Sequence, residues 1–148
     1  MGSLILPASG LVYADTPVFI YSLEKHPVYE PLLQPLWRAV QAGTLDVVSS
    51  ELALMEVLVG PLKSSDVALE SAYEQLFREP GIRLTPIGAT ILREAARLRA
   101  SIPTLRTPDA IHAATAFASG IALFLTNDPG FRRVPGLPLT ILDDVLGP

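Results

Sequence analysis

The chain has no cysteine. That absence removes disulfide bonds, thiolate zinc sites and cysteine nucleophiles together, and it points to a reducing, cytoplasmic setting. Any metal must therefore be held mainly by oxygen. Histidine is scarce too: His26 and His112 are the only two in 148 residues, and no Ser-His-Asp or Cys-His arrangement offers nucleophilic catalysis. Aromatics make up 7% of the residues, with no basic and aromatic stripe of the kind that stacks unpaired bases. The longest stretch without formal charge, Ala110 to Asn127, contains His112, Thr115, Ser119 and Gly120 and falls short of the roughly 20 apolar residues that cross a bilayer. Met1 to Tyr13 carries no basic leader, so neither membrane insertion nor secretion is expected.

What is present fits one domain spanning residues 1–148, long enough for a single core. The net charge of −4 argues against a nucleic-acid partner until its distribution is considered. Between Arg93 and Arg133 there are six arginines (93, 97, 99, 106, 132 and 133) against three acids, Glu94, Asp109 and Asp128. If Asp109 and Asp128 hold metal, the rest of that segment is a basic rim around an acidic pocket. The mean hydropathy is positive, high for a small domain, which suggests that another chain covers some apolar surface.

Periodicity and turn chemistry give the order of elements. Leu11 to Ala14 reads as a strand and Thr16 to His26 as a helix opened by Pro17. Tyr29 to Ala42 has helical spacing and stops at Gly43. Leu45 to Ser49 is a β-branched strand, after which Ser50 offers a cap for a helix through Val59, closed by Gly60 and Pro61. Further helices are expected at Ser64 to Arg78, at Pro86 to Ser101, and from the Thr107 cap and Pro108 to Ser119, ending at Gly120. Strands are expected at Ile82 to Leu84, Ile121 to Thr126 and Leu139 to Leu142. Strands alternating with helices indicate an α/β fold, a parallel sheet covered on both faces.

Four acids stand out in this layout. Asp15 ends the apolar run Leu-Val-Tyr-Ala, and Asp128 ends a second one, Ile-Ala-Leu-Phe-Leu-Thr-Asn. Carboxylates at two strand ends meet where open α/β sheets build their sites. Glu56 is the only polar side chain in Ala-Leu-Met-Glu-Val-Leu-Val, and Asp109 follows a Thr-Pro helix start. Each has a structural reading: a surface gap for Glu56, a capping charge for Asp109, an Asx turn for Asp128. Asp15 has no evident structural duty. Together, clustered carboxylates repel unless a cation binds among them, and hard oxygen ligands favour Mg²⁺ or Mn²⁺.

The chain resembles the PIN-domain ribonucleases, most specifically the toxins of VapBC-type toxin-antitoxin pairs. The matching pieces are Ala-Asp15-Thr16, Ser50 followed by Glu56, Pro-Asp109-Ala-Ile-His-Ala-Ala-Thr-Ala, and Thr126-Asn-Asp128-Pro-Gly-Phe131, in the family's order. The resemblance implies a PIN-like three-layer sandwich, with a central parallel sheet of four to five strands and helices on both faces. It implies that Asp15, Glu56, Asp109 and Asp128 bind one or two divalent ions, Asp15 and Asp109 as the principal ligands. Thr126 corresponds to the hydroxyl residue before the last acid. Pro17 departs from the small polar residue that many relatives carry there.

By the same resemblance the chain is a metal-dependent endoribonuclease, in which an ion activates water for in-line attack on a phosphodiester. An RNA substrate, a homodimer and an antitoxin partner are implied with it. Arg106, Arg132 and Arg133 lie nearest the acids in sequence and are candidate phosphate contacts, whereas Arg93, Arg97 and Arg99 suit a solvated helix face. His112, three residues after Asp109, reads as a packed or supporting group. The alternatives are a catalytically silent PIN-like module binding RNA or protein, and a phosphatase of the haloacid dehalogenase type. The latter wants a second aspartate where this chain has Pro17.

Overall fold

The computed structural model of the protein describes residues 2–147. Five strands form its sheet: β1 (Gly10–Ala14), β2 (Leu45–Ser50), β3 (Ile82–Thr85), β4 (Leu123–Thr126) and β5 (Leu139–Ile141). The helices are α1 (Thr16–Leu23), α2 (Tyr29–Gln41), α3 (Leu52–Ser64), α4 (Val67–Leu76), α5 (Ala89–Ser101), α6 (Thr107–Ser119) and α7 (Leu142–Leu146). All strand pairs are parallel, in the order β3-β2-β1-β4-β5.

Side chains of a strand alternate between faces, and the two faces have separate apolar cores. Val12 and Ala14 join Val47, Leu123 and Leu125 under α1 to α4, where Val18, Phe19, Leu33, Leu36, Val57 and Tyr73 are buried. Tyr13, Val48 and Phe124 point the other way, under α5 and α6, with Ile91, Ala95, Ala110, Ala113 and Phe131. The result is the helix-sheet-helix layering expected of the PIN-like sandwich. Because the chain builds outward from β1 through β2 and β3 on one side and through β4 and β5 on the other, the carboxyl ends of β1 and β4 flank the point where strand order reverses.

Several boundaries differ from the sequence reading. The α3 helix continues through Gly60 and Pro61 to Ser64, and ends where Ser65 turns left-handed at φ 54°. Pro61 removes one backbone hydrogen bond, yet its ring is buried on the same helical face as Ala53 and Val57, so the helix survives. The next helix starts at Val67, where the Asp66 carboxylate accepts the Leu69 amide. The α5 helix begins at Ala89 rather than Pro86, and α6 has Arg106 as its cap, with Thr107 and Pro108 already inside the first turn. The first helix ends at Leu23, short of His26, and β4 begins at Leu123. A 3-10 turn over Pro129–Arg133 and the short α7 carried no periodic signal. Among the described residues no helix is long and apolar enough to cross a membrane.

Candidate active site

Strand β1 delivers Asp15 to the crevice. Its backbone N–H donates to the Leu125 carbonyl at 2.9 Å, which continues the ladder one residue past the strand and fixes the carboxylate beside β4. One carboxylate oxygen accepts the Thr16 amide at 2.9 Å, so Asp15 also caps α1. The other accepts the Thr126 hydroxyl at 2.6 Å. The side chain is nearly sealed, and burial pushes its carboxyl above the usual aspartate range against the opposing pull of His112, Thr126 and Thr16.

Thr126 connects two of the acids. Its hydroxyl donates to Asp15 and accepts the Asp128 amide at 3.0 Å. Asp128 in turn accepts the Gly130 amide at 2.8 Å, an Asx turn that opens the 3-10 segment.

Asp109 occupies the first turn of α6 and is buried to 7% exposure. Arg106, one turn earlier, sits over it: the guanidinium is 3.2 Å from Asp109 Oδ2 and 3.6 Å from Asp128 Oδ2. The hydrogen bond to Asp109, then the charges of Asp109 and Asp128, hold the Arg106 pKa above its usual value. An exposed cation thus spans two carboxylates from different elements.

Glu56 enters from α3 and meets His112 of α6 across the sheet edge. His112 Nε2 lies 2.7 Å from Glu56 Oε1 and 3.6 Å from Asp15 Oδ1. The Thr16 hydroxyl donates to the same Glu56 oxygen at 2.8 Å. Burial pushes the Glu56 carboxyl up, but the hydrogen bonds from His112 and the Thr16 hydroxyl and the Arg106 charge outweigh it and hold the group below the usual range. His112 Nδ1 faces the Tyr13 hydroxyl at 2.6 Å. One polar chain therefore runs Glu56, His112, Asp15, Thr126, Asp128, Arg106, Asp109.

The four acids, Thr126 and Arg106 come together, while the other two arginines turn elsewhere. Arg132 makes a two-pronged pair with Asp144 at 2.6 and 2.8 Å, and Arg133 donates to the carbonyls of Gly130 and Thr104. Sequence reasoning missed Thr16 and the Tyr13 hydroxyl. The signal for Tyr13 was its place in the strand: it is out of phase with Val12 and Ala14 and so faces α6.

The donor set fits a hard divalent cation in its chemistry. It is made of carboxylates, and among the described residues Asp109 Oδ1 and Glu56 Oε2 have no hydrogen-bond partner within the protein. A cation, the Arg106 guanidinium, already balances Asp109 and Asp128. As the side chains stand, no three acidic or histidine groups among the described residues form a ready-made cage.

Comparison with known proteins agrees with this layout. No curated sequence matches the chain. Among solved structures, the VapBC2 complex from Rickettsia felis bound to a DNA fragment from its promoter superposes with a TM-score of 0.72 at 21% identity, covering 88% of this chain and 98% of that one. A toxin-antitoxin complex from Klebsiella pneumoniae gives 0.65 at 21% identity, over 87% and 95% of the two chains. VapBC-5 from Mycobacterium tuberculosis gives 0.57 at 23% identity, over 91% and 98%. At such identities the likeness is one of fold. The model of the PIN domain matches residues 12–137, and on that match the chain belongs to the PIN-domain family.

Proposed function

We propose that this protein is a Mg²⁺- or Mn²⁺-dependent endoribonuclease, the toxin of a VapBC-type pair. The observation that carries the reading is the polar chain joining carboxylates from β1, α3, α6 and the end of β4 at the strand-order reversal. Asp15 and Asp109 are the principal metal ligands, and Glu56 and Asp128 bind directly or through water. When bound, the ion supplies Lewis acidity that activates water and neutralises phosphate charge. The residues of the chain supply the rest. Thr126 and Thr16 hold their carboxylates in place, and Arg106, exposed at the pocket mouth, moves from the acids to the phosphate. Arg132 and Arg133 pair away from the four acids whereas Arg106 pairs with two of them, so Arg106 is the first of the three to meet substrate.

The partner is an antitoxin protein, alongside a second copy of the chain. Met55, Val59 and Leu62 recur at helical spacing on the outer side of α3 and are about half exposed, an apolar stripe suited to burial by another chain. The matched structures are of toxin-antitoxin systems, which supports this choice.

The test is cleavage of a mixed single-stranded and structured RNA pool by the purified protein with Mg²⁺, Mn²⁺ or EDTA. Cutting that needs metal and is lost in Asp15→Ala and Asp109→Ala is the expected result. A folded protein that binds no metal and cuts nothing would shift the assignment to a silent RNA- or protein-binding module.

A further inference from the structure

We propose that Tyr13 is a positioning residue for this site: its buried hydroxyl fixes the tautomer of His112, and His112 in turn aims the Glu56 carboxylate into the crevice. The tautomer stands independently, while its consequence for turnover rests on the nuclease reading above.

The Tyr13 ring has no freedom to turn away. It is fully buried and stacked on Phe124, with centroids 4.8 Å apart and planes within 7°. Its oxygen accepts the Ser50 amide at 3.1 Å, and the phenolic hydrogen must then find an acceptor. His112 Nδ1, 2.6 Å away, is the short contact for that hydrogen, while the Ser49 hydroxyl beside the phenol already donates to the Ala14 carbonyl. A neutral imidazole that accepts at Nδ1 carries its hydrogen on Nε2. That nitrogen faces Glu56 Oε1 at 2.7 Å and Asp15 Oδ1 at 3.6 Å, both acceptors. The opposite tautomer would press a lone pair against two carboxylates.

The orientation of Glu56 follows. Oε1 receives two donors, His112 from α6 and Thr16 from α1, and is held at the inner wall. Oε2 is left for the crevice. A carboxylate on a helix whose neighbours Met55 and Val59 are solvent-exposed would otherwise sample several rotamers. Tyr13 acts through His112 and never reaches substrate, which is why it is a positioning group. Outer groups that orient metal-binding side chains typically cost roughly 10–100-fold in metal affinity or activity when removed.

The experiment uses the ¹⁵N-labelled full chain. Two-bond ¹H–¹⁵N spectra at about pH 8, above the ordinary histidine range, report which ring nitrogen carries the hydrogen. His112 is assigned by the signal missing in His112→Leu. The expected result is a pyridine-like Nδ1 and a pyrrole-like Nε2 in the wild type, with Tyr13→Phe losing that single form. In RNA cleavage, Tyr13→Phe is expected to lower kcat by about 10-fold or more with little change in KM. Added to His112→Leu it should bring no further loss, because the two act in one line. A pyrrole-like Nδ1 in the wild type overturns the proposal even if the variants fold poorly. So does a Tyr13→Phe loss that adds in full to that of His112→Leu. If the wild type shows the expected tautomer but neither binds Mn²⁺ nor cuts RNA, the nuclease reading fails and the role in turnover falls with it.

Discussion

Thr126→Val is the substitution whose effect the structure defines most closely. Valine keeps the shape of threonine and removes only the hydroxyl, which in the native protein is fully buried and makes two hydrogen bonds. The bond to the Asp15 carboxylate, at 2.6 Å, is of the charge-assisted kind worth about 1.5–3 kcal/mol. The bond from the Asp128 amide is neutral and worth about 0.5–1.5 kcal/mol. The expected cost at neutral pH is therefore about 2–4.5 kcal/mol, a large part of the roughly 5–15 kcal/mol that a domain possesses. In a thermal melt that is a fall on the order of 10 °C. Thr126→Ser, which keeps the hydroxyl, should recover most of it.

The pH dependence supplies a second check. Burial already raises the Asp15 carboxyl, and loss of the Thr126 donor raises it further. Below the ordinary aspartate range the group is protonated folded and unfolded, and the difference between variant and wild type falls to the cost of the neutral bonds alone. As pH rises through the raised folded values, the variant loses more stability, so the gap widens toward neutrality. Urea melts across this range measure it. Equal midpoints for valine and wild type near neutrality, or a gap that narrows with rising pH, would refute the reasoning.

Three further outcomes are expected. Asp15→Asn should be more stable than the wild type near neutral pH, because a raised folded pKa gives stability below the unfolded value that is lost as pH rises; thermal melts from about pH 4 to 8 should show the difference growing, and added Mn²⁺ should stabilise only the wild type. Arg106→Gln should lower the melting midpoint of the metal-free protein only modestly, since Arg106 is exposed but leaves the buried Asp109 carboxylate without its cation, while lowering RNA cleavage by at least 10-fold, as read by initial rates with metal in excess. Gly120→Ala should cost about 1–2 kcal/mol by urea unfolding, because Gly120 closes α6 at φ +65°; no atom crowds the added carbon, so the penalty is one of backbone conformation.

Much of the fold was readable from local pattern. Short β-branched runs, Pro at helix starts and Gly at helix ends act within a few residues, and they mark strands and helices wherever the chain goes. Where they misled, a tertiary contact outweighed them: Gly60 and Pro61 would end a helix in isolation, but burial of Pro61 beside Val57 carries α3 onward to Ser64. Asp15, Glu56 and Asp128 were legible because each interrupts an apolar context, and Asp109 because it follows a Thr-Pro helix start. Their partners were not. Arg106, Arg132 and Arg133 look alike in sequence, yet only Arg106 spans Asp109 and Asp128, since the 3-10 turn after Asp128 carries Arg132 to Asp144 and Arg133 to the Thr104 carbonyl.

The sequence by itself determined which groups the site would contain, four carboxylates and no thiol, because composition and local breaks in hydrophobicity need no knowledge of neighbours. Only the tertiary structure decided which groups touch. The strand order β3-β2-β1-β4-β5 sets Asp15 against Thr126, 111 residues apart, and packing on both sheet faces brings Glu56 of α3 to His112 of α6 and sets His112 on Tyr13 of β1. Those pairings follow from how apolar faces bury one another across the sheet, a property of the whole chain that no spacing along it encodes.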